Sequence, residues 1–220
     1  MKKIMIAIII VLLLVGCGKN KKKAEEVKEP EETKKIELKY QEKGDIFYSV
    51  CYKENEYMLD LCIEEDQDFV SNMVDYIDLR MQYIFDINEE VEYTYSYKIV
   101  GVIGIRDKKT NTLIYDGNEE YVIQEGASSE PTKDFTIDES MRIDYKKYTD
   151  LLDSFKKELG TALSGALKIT LHIELEWKHE KFSEPVSIEN DIDLVISISE
   201  QTFNFRSYKN LRNQKTITQN

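Results

Sequence analysis

From Ile77 to Ile87 the apolar residues Ile77, Leu79, Met81, Tyr83, Phe85 and Ile87 fall at every second position, with Asp78, Arg80, Gln82 and Asp86 among the residues between them. Successive side chains on a strand point to opposite faces, so this spacing gives one apolar face and one wet face. A helix would scatter the same six residues around its circumference. Burying that face contributes on the order of 10 kcal/mol gross, at about 25 cal/mol per Å². A chain built from such stretches has to press apolar faces together, and packed sheets are the way to do it.

The period recurs along most of the sequence. Ile36, Leu38 and Tyr40 open it, and Ile46, Tyr48, Val50 and Tyr52 follow a predicted turn at Lys43-Gly44-Asp45. Beyond Asn88-Glu89 it resumes with Val91, Tyr93, Tyr95, Tyr97 and Ile99 and runs on through Val102, Ile103 and Ile105. After a polar turn at 107–111 come two short runs, Leu113 to Tyr115 and Tyr121 to Ile123, and then a loop from Gly126 to Thr132. Phe135, Ile137, Met141 and Ile143 suggest a strand with a polar break in its middle. Leu167 to Trp177 alternates strictly, Ile192 to Ile198 does so again, and Phe203 and Phe205 end the series. Residues 207–220 read as a polar tail, with no apolar segment for a second membrane crossing.

The period changes once. Tyr148, Leu151, Leu152, Phe155 and Leu159 share one face of a helix over 145–159. Asp144 suits its N-cap, Lys156 and Lys157 its negative end, and Gly160 the position after it. Lysines and acids are nearly balanced on the opposite face, which suits packing on the domain better than lying on anionic lipid. The expectation is an antiparallel two-sheet β-sandwich over 36–206, immunoglobulin-like or related, with the helix across one end or an open edge. A closed barrel is the alternative.

The N-terminus carries an address. Lys2 and Lys3 precede an apolar run from Ile4 to Val15, followed by Gly16 and Cys17, the order of a secretory signal. As a helix that run rises roughly 18 Å, short of the ~30 Å hydrocarbon core. Leu14-Val15-Gly16-Cys17 resembles the lipobox of bacterial lipoproteins. The resemblance implies that residues 1–16 are removed and that Cys17 takes a lipid; an uncleaved anchor would leave the topology almost unchanged. Residues 17–35 then read as a charged, disordered tether, with Lys19, Lys21, Lys22 and Lys23 beside the lipid. The expected location is the extracytoplasmic face of a cell membrane.

Forty-two acidic against thirty basic residues give a net charge of −12, which repels phosphate backbones and excludes a nucleic-acid binder. Tyr48-x-Val50, Lys53-x-Asn55, Asp75-Tyr76-Ile77-Asp78, Tyr93-x-Tyr95-x-Tyr97, Ile143-Asp144-Tyr145-x-x-Tyr148 and Phe155-Lys156-Lys157 together resemble an uncharacterised family. Its members are membrane-anchored extracytoplasmic domains of Gram-positive bacteria and their wall-less relatives. The resemblance covers most of residues 46 to 175 and implies orientation, but it brings no function. Family members are commonly held by transmembrane helices, from which a lipobox departs.

Few residues suggest chemistry. Outside the membrane Cys51 and Cys62 can pair. A tight hairpin at Lys53–Glu56 would set Cys51 opposite Met58 and leave Cys62 roughly 13 Å further along the strand, whereas an irregular loop over 53–68 would let the bond form. Tyr93, Tyr95 and Tyr97 share a strand face, either as core or as an aromatic binding surface for carbohydrate or peptide. His172 and His179 are expected at the solvent surface, on opposite sides of their sheet. Glu64 to Asp68 lacks the glycine turn and distal glutamate of a calcium loop, and Asp191 and Asp193 read as a solvated polar face. No catalytic, cofactor-binding or metal-binding set emerges. The chain reads as a non-catalytic binding or structural domain, tied to the membrane through Cys17 and open to an envelope protein or a wall polymer. The alternatives are an accessory subunit of an envelope complex and a hydrolase without a recognisable motif.

Overall fold

Strands dominate the computed structural model, which describes residues 36–58, 60–64, 67–107, 109–110, 112–128, 135–160, 162–180, 182, 184–205 and 210–219. The leader 1–16, Cys17 and the tether 17–35 lie outside them, as do Glu65 and Asp66 of the acidic run. In chain order the strands are β1 (Ile36–Tyr52), β2 (Cys62–Ile63), β3 (Phe69–Val70), β4 (Val74–Ile87), β5 (Glu92–Asp107) and β6 (Thr112–Ala127). They continue with β7 (Phe135–Asp144), helix α1 (Tyr145–Leu159), β8 (Gly165–Lys178), β9 (Val186–Ser197), β10 (Thr202–Phe203) and β11 (Leu211–Gln219). A single 3-10 turn, Ser71–Met73, precedes β4.

Two antiparallel sheets carry the core. One has the order β11-β1-β4-β7, with β2 on the same edge of β1 as β11; the other has the order β6-β5-β8-β9. β3 and β10 form a separate two-stranded ribbon. Inner-face residues of both sheets merge into one apolar core, including Leu38, Ile77, Met81, Leu171, Ile192 and Trp177, each at most 1% exposed. The strands divide into separate sheets rather than closing one barrel, which is the expected sandwich.

Two expected features are overturned. No turn occurs at Lys43-Gly44-Asp45: β1 runs straight through it. Glu42 and Gly44 continue the inner face of β1, so the alternation never breaks; it only stops being apolar there. Gly44 leaves room for its neighbours, since a Cβ there would lie 2.3 Å from the end of the Ile192 side chain, which would have to shift, and 3.0 Å from Leu211. The expected polar tail is also no tail. Residues 211–219 form β11, paired with Ile36 to Gly44, so the domain reaches past 206.

The smaller differences have the same origin. The runs at 113–115 and 121–123 belong to one strand, β6, whose pairing with β5 shifts register at three places. Two of the shifts put one extra residue into β6 and reset which face a side chain takes, and the third puts in two, so the period fails while the strand continues. The polar break in β7 is Glu139, which lies on the inner-face parity of a continuous strand.

α1 matches its expected bounds. Asp144 accepts a hydrogen bond from the Lys147 amide at 2.9 Å, and Gly160 closes the helix at φ 63°. Tyr145, Tyr148 and Leu152 are buried, Leu151 and Phe155 half-buried. Leu159, expected on the packed face, is 44% exposed at the last position of the helix.

Candidate functional site

The outer face of the β11-β1-β4-β7 sheet follows directly from its register. Reading across β1, β4 and β7, Asp45 lies beside Gln82 and then Asp138, Phe47 beside Arg80 and then Ser140, and Ser49 beside Asp78 and then Arg142. Every one of these has the outward parity of its strand. Phe47 is therefore an aromatic ring on the wet face, 48% exposed.

The charges on this face are tied in pairs. Arg80 donates from Nε and Nη2 to the two carboxylate oxygens of Asp138 at 2.6 and 2.5 Å, and Gln82 adds a third bond to Asp138 at 3.1 Å. Arg142 donates likewise to Asp78 at 2.8 and 3.1 Å. Such two-point pairs fix the guanidinium plane as well as its position. Each plane also meets a ring: Arg142 lies 3.7 Å from the centre of Tyr76, and Arg80 lies 5.5 Å from that of Phe47. The hydrogen bonds from Arg80 hold the Asp138 carboxyl below its ordinary value, so it stays an acceptor.

A hollow of about 810 Å³ lies over this strip, lined by Phe47, Ser49, Arg80, Ser140, Arg142 and Glu64 among others. Toward the start of β1 a second hollow, about 970 Å³, adjoins Gln41, Lys43, Ile84, Asp86 and Arg212. Between the two, Asp45 accepts from Lys43 at 2.8 Å and from Arg212. Partial burial works against the charged Asp45, and these two cations outweigh it, so its carboxyl also titrates below the ordinary value.

The tyrosine row does not make an exposed aromatic surface. Tyr93 is buried, and Tyr95 packs edge-on against Phe135 with ring centres 4.2 Å apart. Tyr97 reaches the seam between the sheets, where its hydroxyl donates to Glu139 and the Gln124 amide donates to the other Glu139 oxygen. Burial and then Glu139 push the Tyr97 hydroxyl up to about 12, which makes it a donor that fastens β5 to β7 rather than a nucleophile. Gly126 leaves room for the ring, since a Cβ there would come within 2.5 Å of it.

His172 is on the outer face of the second sheet, 2.6 Å from Asp191. His179 is not at the surface as expected. It is 5% exposed, because the chain turns after β8 ends at Lys178, with the Phe182 amide donating to the His179 carbonyl at 3.0 Å and the Phe182 ring packing edge-on against those of Trp177 and His179. Glu89 meets the His179 Nε2 at 3.1 Å. Asp191 and Asp193 face outward beside His172, Thr170 and Lys168. Glu64 and Asp68 are exposed, and Asp68 accepts from Asn204 at 2.7 Å. Among the described residues no group of His, Cys, Asp and Glu stands close enough to hold a metal ion.

Cys51 and Cys62 are joined by a disulfide between directly paired residues of β1 and β2, with Cα atoms 4.0 Å apart. The segment between them is a loop, not a tight hairpin. The Tyr52 amide donates to Leu61 at 2.8 Å and the Lys53 amide to Met73 at 2.8 Å. The Asn55 side chain accepts from the amides of Tyr57 and Met58, each at 3.0 Å, and Tyr57 projects 93% exposed. Cys17 lies outside the described residues.

Phe47, Arg80 and Arg142 escaped the sequence reading as site residues. Phe47 had left a signal, a large apolar residue at a polar position of an alternating strand. No family model, curated protein or solved structure matches this chain.

Proposed function

We propose that this protein is a lipid-anchored extracytoplasmic binding domain, held at the membrane through Cys17, that takes its ligand on the outer face of the β11-β1-β4-β7 sheet. One observation carries the reading: a hollowed, solvent-facing strip on which Phe47 is exposed while Arg80 and Arg142 are held in fixed planes. Side chains ordered before a ligand arrives lose less entropy when it binds. The Cys51–Cys62 disulfide supports the location, since such bonds persist in oxidising compartments. The resemblance of residues 46 to 175 to membrane-anchored extracytoplasmic domains points to the same side of the membrane. No helix among the described residues is long and apolar enough to cross a membrane.

A second reading has its own observation. Tyr57 stands nearly free of the fold on a loop closed by the disulfide, a rigid aromatic contact of the kind that seats on a protein partner. That favours an accessory subunit of an envelope complex.

One experiment separates the readings. A photo-crosslinking residue is placed at 47, at 57 or at 172 in the full chain in its native membrane. Capture at 47 and not at 172 supports the face; capture at 57 alone favours the accessory subunit. Clickable fatty-acid labelling of the wild type, lost in Cys17→Ala, tests the anchor in the same cells.

A further inference from the structure

We infer that the strip around Phe47, Arg80 and Arg142 is a binding site for a neutral glycan chain; this rests on the proposal that the outer face is the ligand face. The argument starts from what each arginine-aspartate pair leaves unused. In Arg80–Asp138 and Arg142–Asp78, two N–H groups meet two carboxylate oxygens. A guanidinium has five N–H groups and a carboxylate about four lone-pair sites. Each pair therefore offers further donors beside further acceptors, at fixed positions on a solvent-facing surface.

A vicinal diol matches that arrangement. One hydroxyl accepts from the guanidinium edge while its neighbour donates to the carboxylate, and neither ion has to be separated from its partner. Sugar rings supply such diols in series. They also carry C–H faces, which pack on exposed aromatic rings, and Phe47 presents one beside the first pair; the Tyr76 ring is covered by the Arg142 guanidinium at 3.7 Å and backs that cation instead. Ser49 and Ser140 add hydroxyls on the same strip.

Charge selects within the polymers. The two pairs cancel internally, and the whole chain carries a net charge of −12, so a polyanion gains nothing here and is repelled at long range. A polycation would find the outer face of the β6-β5-β8-β9 sheet richer in acids, with Glu174, Glu176 and Glu189 on it. With both arginines paired and only Glu64 adding charge at the hollow, the strip fits a neutral, hydroxyl-rich chain.

The test uses the full chain in detergent, titrated calorimetrically with fully N-acetylated chitohexaose, cellohexaose and inorganic polyphosphate. Binding of a hexasaccharide that persists from low to high salt, and weakens at least tenfold in Phe47→Ala and in Arg80→Gln, supports the site. Phe47→Trp should restore it, and His172→Ala on the opposite face should leave it unchanged. Unaltered thermal melting of the variants shows that the fold is intact, as expected for a residue 48% exposed. Failure of both sugars to bind, binding indifferent to Phe47 and Arg80, or binding of polyphosphate alone overturns the inference. Capture of another molecule by the residue-47 crosslinker, with no sugar binding, would overturn the glycan and leave the binding face standing.

Discussion

Tyr83 donates its hydroxyl hydrogen to Glu42 across 2.6 Å inside the sandwich, although Glu42 is only 2% exposed. Asn190, from the inner face of the opposite sheet, donates to the same carboxylate oxygen, and Asn213 of β11 lies 3.5 Å from the other. One carboxylate thus joins β1, β4, β9 and β11. A buried charge is tolerated only when its lone pairs are filled in this way.

Removing that acceptor should be costly. Glu42→Ala leaves the Tyr83 hydroxyl and the Asn190 amide without their partner in a dry interior, a loss of about 1–3 kcal/mol for each stranded group. Glu42→Gln keeps an acceptor oxygen and should lose much less. Urea unfolding of the two variants gives the comparison. Equal stability of Glu42→Ala and wild type would mean that the network does not hold the sheets together.

The buried tyrosines set a limit at high pH. Free tyrosine titrates near 10.0; burial, then Glu139, pushes Tyr97 up to about 12, burial alone does the same for Tyr145, and Tyr83 is displaced further in the same direction. Above about pH 10 the unfolded chain releases protons that the folded chain retains, so stability falls as pH rises. Below pH 10 the contribution is fully present and does not vary. Melting temperature should stay level as pH approaches 10 and then drop through 12, and Tyr97→Phe should shallow the drop. A curve that declines equally in both proteins would remove Tyr97 from the account.

Cleaving the disulfide should destabilise the domain without unfolding it. Closing a loop of this size constrains the unfolded chain and contributes about 2–4 kcal/mol. Cys51→Ser combined with Cys62→Ser should therefore lower the unfolding free energy by that amount and the denaturation midpoint with it, and adding reductant to the wild type should do the same. A midpoint insensitive to both would show that the loop is held by its hydrogen bonds to Leu61 and Met73 instead.

What the sequence disclosed depended on whether a signal was local. α1 was legible to the residue because Asp144, the apolar stripe and Gly160 all lie within seventeen positions of one another. β4 was legible because all its inner positions from 77 to 85 are apolar. Glu42 and Gly44 hid the middle of β1, since a buried glutamate becomes sensible only with Tyr83 and Asn190 in view, and those are set by register. The candidate site was hidden for the same reason. Phe47 was anomalous by parity alone, but the pairing of Arg80 with Asp138, 58 residues on, exists only once β4 and β7 are aligned.

β11 was the least visible element and gives the last prediction. Its inner positions are Leu211, Asn213, Lys215 and Ile217, two of them polar, so no alternation announced it. Its partners supply the reason that it is there. Asn213 faces Glu42, Arg212 on the outer face binds Asp45 and the Gly44 carbonyl, and Leu211 and Ile217 cover the core. Ending the chain after Asn210 should remove about 1–2 kcal/mol for each of the half-buried Leu211 and Ile217. It should also leave Asp45 with Lys43 alone. The larger effect is on β1, whose edge from Ile36 to Gly44 would then offer unpaired amides and carbonyls with Leu38 and Tyr40 beside them, a template for pairing with another chain. The truncated protein should unfold at lower urea and elute from size exclusion at a volume that depends on concentration. A dispensable polar tail would leave its elution and its stability the same as those of the full chain.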